Sequence, residues 1–282
     1  MTIDEFRQFT DNHMIYLDGA TGSNLVKAGM PSGVCPEKWI LEHRDVMLQL
    51  QKEYVKAGTN ILYSPTFTAN RVKLKEYHLE EQMDSMITGL VAISREAAAS
   101  STGQKVYIAG DLTMTGEQLQ PIGTMPLEEL ISIYKEQIIA MEKAGVDLLV
   151  VETMMSLAEA RAALIAAKEV TSLPVMVSMT FEPDGRTLFG TDAQTAAVVL
   201  ESLGACAVGA NCSTGPAHME GIISAMASVT NIPIIAKPNA GLPFLDENGI
   251  TCYNMDAVEF AEEMEILVKA GATILGGCCG TT

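Results

Sequence analysis

Three of the six cysteines, Cys212, Cys278 and Cys279, stand where short apolar runs of the chain end. Thiolates are soft ligands suited to Zn2+, and three of them leave the fourth position of a tetrahedral zinc open. A thiol entering that position would be deprotonated by the metal. Four thiolates would leave the centre with surplus negative charge and keep the entering sulfur nucleophilic. Spacing alone leaves a second reading open, because free cysteine also packs as a small hydrophobe and the chain has no C-x-x-C. That inert reading suits Cys35, Cys206 and Cys252. Cys206 lies inside an apolar run and Cys252 in an expected loop.

Two acids, Asp18 and Glu152, also end apolar runs. Carboxylates placed there could hold an ammonium group. For Asp18 the competing role is a turn cap on the amides of Thr21 or Gly22. Glu152 follows Leu148-Leu149-Val150-Val151, so it must be paired or face a cavity. Asp111 could take either role, ammonium-binding carboxylate or loop cap, with the cap favoured, and Lys237 and Asn239 read as residues that orient loops. His13, His43, His78 and His218 do not cluster at run ends, so no histidine base is expected.

The elements that would position these groups follow from periodicity. Eight short, nearly continuous apolar runs span residues 15–20, 60–67, 106–112, 147–153, 174–181, 205–212, 233–239 and 273–278. Strands covered on both faces have this character. Helical stripes lie between them: Val46, Leu50, Tyr54 and Ala57 form one, and Leu127, Leu130, Ile131, Tyr134, Ile138 and Met141 another. Lys-Ala-Gly recurs at residues 56–58, 143–145 and 269–271, each time before a strand. A cation in the last turn followed by glycine is a helix stop. Eight units of about 35 residues predict an α/β fold of the (β/α)8 TIM-barrel type. A doubly wound sheet would want a Gly-rich phosphate turn after a strand, and there is none. No linker-like stretch divides the chain, so residues 1–282 are expected to form one barrel domain, possibly without the usual final helix. The sequence stops just after the eighth run. Either residues 2–10 cover the gap, or the chain is part of something longer.

In such barrels the chemistry sits at the C-terminal strand ends. Strands six and eight are near neighbours there, so Cys212 can meet the Cys278-Cys279 pair. Adjacent cysteines on a regular strand face opposite ways. Gly276, Gly277 and Gly280 would let the backbone bend so that both sulfurs reach one metal. Composition bounds the partners. Hydrophobic residues are 48% and charged residues 19%, with a formal net charge of -17. Such an acidic balance argues against nucleic acid and against anionic membranes as partners. The polar N-terminus has no signal-peptide core and no run is long enough to span a bilayer, which points to the cytoplasm.

Six motifs, taken together, resemble the homocysteine S-methyltransferase family. They are Asp18-Gly19-Ala20-Thr21-Gly22, Thr66-Phe67-Thr68-Ala69-Asn70, Val151-Glu152-Thr153-Met154, Gly209-Ala210-Asn211-Cys212, Ala236-Lys237-Pro238-Asn239-Ala240-Gly241 and Gly276-Gly277-Cys278-Cys279-Gly280-Thr281-Thr282. The likeness is greatest to the N-terminal, homocysteine-binding barrel of cobalamin-dependent methionine synthase, and runs from about Asp18 to the last residue. It implies Zn2+ on Cys212, Cys278 and Cys279, with the homocysteine sulfur as a further ligand. It implies that Asp18 and Glu152 meet the amino group and that the N–H groups of Gly19, Ala20 and Thr21 meet the carboxylate. Thr66 and Asn211 are expected to line the same pocket.

The resemblance has departures. Residues 33–39 differ from the usual methionine synthase loop, so that lid is expected to differ. Thr68 stands where the betaine-using branch carries an aromatic, which argues against a quaternary ammonium donor. Methionine synthases continue into folate and cobalamin modules after the Gly-Thr-Thr, so the expected donor is methylcobalamin on a separate corrinoid protein or on missing C-terminal modules. The function expected is methyl transfer to homocysteine, giving methionine. Two rivals stand beside it. One is a corrinoid-linked methyltransferase acting on another thiol or on a small methylated compound. The other is a non-catalytic zinc-bound barrel serving as a scaffold.

Overall fold

Every one of the eight apolar runs carries a strand. The computed structural model describes residues 1–11, 13–245 and 251–282. Its strands are β1 (Ile15–Tyr16), β2 (Ile61–Tyr63), β3 (Tyr107–Leu112), β4 (Leu148–Met154), β5 (Val175–Met179), β6 (Ala207–Asn211), β7 (Ile234–Lys237), β8 (Phe244–Leu245), β9 (Thr251–Cys252) and β10 (Ile274–Leu275). Eight of them form one parallel sheet in the order β1-β10-β7-β6-β5-β4-β3-β2. A parallel bridge from Leu17 to Ile61 brings β1 against β2 and rounds the sheet into a nearly closed (β/α)8 barrel. The remaining pair, β8 and β9, is an antiparallel hairpin between β7 and the last helix. Cys252, expected in a loop, pairs with Phe244 across it.

The helices are α1 (Ile3–Thr10), α2 (Gly22–Lys27), α3 (Pro36–Glu42), α4 (Arg44–Ala57), α5 (Arg71–Lys75), α6 (Met83–Ala98), α7 (Leu127–Ala144), α8 (Leu157–Val170), α9 (Ala193–Ser202), α10 (Pro216–Ala227) and α11 (Ala257–Lys269). The Lys-Ala-Gly stops do what their chemistry predicts. Gly58 and Gly145 end α4 and α7 at φ 108° and 89°, and Gly271 follows α11 at φ 115°. The apolar stripe of α7 buries Leu130, Tyr134, Ile138 and Met141, while Leu127 in its first turn stays exposed.

Inside the barrel, Ile15, Leu17, Ile61, Ala109, Leu148, Val150, Met176, Ala207, Ile235 and Ile274 pack as one cluster. Phe6 of α1 joins that cluster and is fully buried, worth about 2–3 kcal/mol. Residues 2–10 therefore plug the N-terminal end of the barrel. A capping box between Thr2 and Glu5 starts this plug, and Phe9 meets Tyr107 edge-on at 5.0 Å. On the outer side of β1, Tyr16 remains 52% exposed. Among the described residues, no helix is long and apolar enough to cross a membrane.

Candidate metal centre and substrate pocket

The regular strands stop before the chemistry begins. β6 ends at Asn211, and the next two residues, Cys212 and Ser213, take left-handed backbone conformations at φ 64° and 60°. This turn points Cys212 across the mouth. Its N–H donates to the carbonyl of Lys237 on β7 (3.1 Å), which holds the turn against the neighbouring strand. β10 ends even earlier, at Leu275, so Cys278 and Cys279 lie in a loop and not on a strand. The alternation rule for adjacent side chains does not apply there. The glycines supply the bend. A Cβ on Gly277 would sit 2.4 Å from Thr281 Oγ1, and Gly280 has φ 84° with its missing Cβ facing the Tyr253 ring at 2.3 Å.

Backbone hydrogen bonds fasten the cysteine loop to its neighbours. The N–H of Cys278 donates to Pro238 O (2.7 Å), that of Ala240 to Cys279 O (3.0 Å) and that of Gly277 to Asp18 O (3.1 Å). The result places the sulfurs of Cys212, Cys278 and Cys279 all within 4.8 Å of one another. A tetrahedral zinc with Zn–S bonds of about 2.3 Å needs sulfurs about 3.8 Å apart, so the donor set fits the ion in chemistry and in spread. Among the described residues, no fourth His, Cys, Asp or Glu joins this group. Hydrogen bonds from the Cys212 and Cys278 thiols hold Cys279 well below the ordinary thiol range, and the same contacts push Cys212 up. The sulfurs already compete for protons, as clustered metal ligands do. Cys35 and Cys206 are buried elsewhere, and burial raises both thiols, Cys35 to about 11.

Beside the sulfurs lies a buried charge cluster. Lys237 Nζ stands 3.7 Å from Asp18 Oδ1 and 3.9 Å from Glu152 Oε2, over the Tyr63 ring at 4.9 Å. These are ion-pair distances, too long for hydrogen bonds, and Asp18 Oδ1, Glu152 Oε2 and Asp111 Oδ1 are all buried without a hydrogen-bond partner. Burial is the main cause that raises both Asp18 and Glu152 to about 7, with Lys237 opposing it. Burial also raises Asp111 well above the carboxylate range, and Glu152 adds to it. Burial would lower Lys237, but Glu152 and Asp18 outweigh it and hold the ammonium charged.

The structure thus brings Asp18, Glu152 and the three cysteines to one mouth. Asp18 is not a cap on Thr21 or Gly22: its Oδ2 accepts from the N–H of Tyr63 at 2.7 Å. Asp111 is not a loop cap either; it lies in β3, 5% exposed, and belongs to the charge cluster. Gly19 sits against Tyr54, whose ring leaves no room for a Cβ. The N–H of Ala20 donates to Thr281 Oγ1 (3.0 Å), which ties the first loop to the cysteine loop and occupies one of the three donors expected for a carboxylate. Thr21 is half-buried at the start of α2.

Two expected pocket residues face inward instead. Thr66 is fully buried, with its Oγ1 accepting from Asp111 N (3.1 Å) and donating to Asp111 O (3.0 Å). Asn211 is 1% exposed, with both ends of its amide bonded inside the protein. Sequence reasoning gave Lys237 too small a part. Its signal was a lysine directly after Ile234-Ile235-Ala236, which burial forces to find a counter-ion. It also missed Glu37, buried in α3, whose Oε1 accepts from Thr68 N (2.9 Å) and Thr68 Oγ1 (2.6 Å). That carboxylate fastens the segment at residues 33–39 to the loop after β2.

This arrangement has known relatives. The chain is 29% identical over 279 residues to the methionine synthases of Mycobacterium leprae and Mycobacterium tuberculosis. The match takes in 94% of this chain but 23% of each relative, so the chain spans about a quarter of their length. In fold it is similar to the homocysteine methyltransferase MmuM from Escherichia coli. The oxidised and metallated forms each give a TM-score of 0.81 at 20% identity, covering 97% and 98% of this chain and 94% of MmuM. A model of the homocysteine S-methyltransferase family matches residues 15–282, and the chain belongs to that family.

Proposed function

We propose that this chain holds Zn2+ on Cys212, Cys278 and Cys279 and activates the homocysteine thiol for methylation to methionine. One observation carries the reading. A cluster of three sulfurs within 4.8 Å opens beside buried carboxylate oxygens that lack a hydrogen-bond partner. Membership of the family and the metallated form of MmuM support it. When bound, zinc supplies a lowered thiol pKa at neutral pH. The protein does the rest by position. Asp18 Oδ1 and Glu152 Oε2 offer acceptors for the α-ammonium, with Asp111 behind them. Lys237 keeps the three acids from repelling one another apart. The N–H groups of Gly19 and Thr21 are the remaining donors for the α-carboxylate. Holding the amino acid at that end fixes its sulfur at the cysteines, so that the methyl group meets an oriented nucleophile.

Residues 1–282 act in this proposal as one homocysteine-binding barrel. The methyl group comes from a partner, methylcobalamin on a corrinoid protein, which the resemblance to the cobalamin-dependent barrel supports. Three thiols kept free for a metal suit the reducing cytoplasm. The test measures zinc content and methionine formation from homocysteine with methylcobalamin, S-methylmethionine or betaine, for wild type and Cys212→Ser. Zinc at one per chain, activity with methylcobalamin and loss of both in Cys212→Ser are expected. A wild type that binds zinc but methylates homocysteine from none of the donors would sink the homocysteine assignment. A zinc-free wild type prepared without chelator would sink both.

A further inference from the structure

We infer that Asn211 is a positioning residue that builds the metal ligand Cys212 and the ammonium-binding acid Glu152 as one unit. The inference rests on the function proposed above and concerns how its two halves are joined. Thr153, directly after Glu152, has a left-handed backbone at φ 59°, which a β-branched residue adopts only when its surroundings force it. The pairing of β4 with β5 shifts register between Val151 and Met154, so the ladder is broken at Glu152 and Thr153. A break of that kind re-aims a side chain, here Glu152 into the mouth.

Asn211 holds this break from the next strand but one. Its Oδ1 accepts from the N–H of Thr153 (2.9 Å) and from Ser178 Oγ on β5 (2.7 Å), and its Nδ2 donates to Thr153 Oγ1 (2.8 Å). The backbone carbonyl of Asn211 accepts from Thr180 Oγ1 (3.1 Å). The next residue is Cys212, itself left-handed. One buried amide therefore bonds both the backbone and the side chain of the residue after Glu152, while its own backbone leads directly into the cysteine turn. The chemistry suits the residue type. Thr153 presents an N–H and a hydroxyl a few ångströms apart, and a short amide answers both, its oxygen accepting from the N–H while its nitrogen donates to the hydroxyl. The amide oxygen accepts two hydrogen bonds and the nitrogen donates one, all inside the protein.

The test uses the full chain loaded with Zn2+, reading zinc affinity by chelator competition and homocysteine affinity by calorimetry, with urea unfolding to confirm the fold. In Asn211→Ala both affinities are expected to fall together by about tenfold or more. Glu152→Gln is expected to weaken homocysteine and leave zinc unchanged. Ser178→Ala, which removes one of the amide's bonds, is expected to move both affinities the same way by a smaller factor. A folded Asn211→Ala that loses one affinity without the other, or neither, overturns the inference. If Asn211→Ala does not fold, Ser178→Ala decides: a change in one affinity alone, or in neither, overturns it. Equal loss of zinc in Glu152→Gln overturns it as well, since joint loss would then need no Asn211. A wild type that binds neither zinc nor homocysteine is a failure of the proposed function, whereas normal wild-type binding with an unaltered Asn211→Ala is a failure of this inference alone.

Discussion

Replacing Lys237 with Met removes the cation that, among the described residues, Asp18 and Glu152 share, and leaves a side chain of similar length. Lys237 is 5% exposed at its side chain and lies 3.7 and 3.9 Å from Asp18 and Glu152. Breaking a buried ion pair from one side costs about 3–5 kcal/mol, because the remaining charges stay buried and uncompensated. At about 2.1 cal/mol/K per residue, 282 residues give an unfolding entropy of about 0.6 kcal/mol/K. The loss therefore lowers Tm by about 5–8 °C where the acids are ionised. The size must depend on pH, and the sign follows from the acids. Asp18 and Glu152 titrate near 7 in the folded protein, above their ordinary values. At pH 8 both are charged and the lysine is needed. At pH 5 both hold protons, and the buried lysine is itself the charge without a full counter-ion. Lys237→Met is thus strongly destabilising at pH 8 and neutral or mildly stabilising at pH 5. Thermal unfolding of metal-free wild type and variant at the two pH values checks this. A loss of the same size at both values would refute the reasoning, as would no loss at pH 8.

Three further outcomes follow from the same geometry. Because Asp18 and Glu152 bind protons more tightly folded than unfolded, their contribution makes the stability of the ligand-free protein fall as pH rises from about 5 to 8; urea midpoints across that range that rise instead would contradict it. Glu37→Ala frees the N–H and hydroxyl of Thr68 and is expected to cost about 2–3 kcal/mol, with Cys35 becoming reactive to a thiol reagent; an unchanged urea midpoint and an unreactive Cys35 would show that the clamp is not needed. Gly280→Ala puts a methyl into the Tyr253 ring at a φ of 84° and is expected to weaken zinc by at least about tenfold, whereas Gly22→Ala, whose Cβ meets nothing within 4 Å, should leave it unchanged. Chelator competition reads both.

The barrel was legible because parallel strands buried on both faces write themselves as apolar runs, and because Lys-Ala-Gly stops α4, α7 and α11 before the strands they lead to. The strand ends then pointed to Asp18, Glu152 and the three cysteines without any knowledge of angles. What sequence could not carry were the roles settled by contacts across strands. Asn211 and Thr66 stand at the right strand ends, yet their side chains turn inward to Thr153 and Asp111. Nothing local distinguishes an asparagine that meets a ligand from one that braces a neighbouring strand. Lys237 was given too small a part, and the reading favoured for Asp111 was the wrong one of two, for the same reason: a charge at a strand end is a loop residue or a buried ion according to what lies opposite it. The N-terminal segment, one of two explanations offered for the missing final helix, plugs the barrel end, since an amphipathic helix with one buried phenylalanine fits either an end or a flank.

The buried charges also bear on which thiol the mouth would favour. Among the described residues, Asp18, Asp111 and Glu152 bring three carboxylates against the ammonium of Lys237. Fully ionised, the set would hold two negative charges more than it can neutralise, away from water. The ligand-free protein answers by keeping protons, which is why burial lifts all three acids. A substrate ammonium placed at Asp18 Oδ1 and Glu152 Oε2 supplies a charge and hydrogen bonds to oxygens that have none, and releases protons as it enters. A thiol without an amino group offers these oxygens nothing, so they stay protonated and it gains no hold at that end. A site built to bond a polar group rejects analogues that lack it far more sharply than an apolar pocket rejects a missing methylene. The acid cluster therefore supports an amino-acid thiol over a simple thiol. In the function proposed, it also separates the two tasks of the mouth: the cysteines would make the sulfur reactive, and the carboxylates would decide whose sulfur arrives.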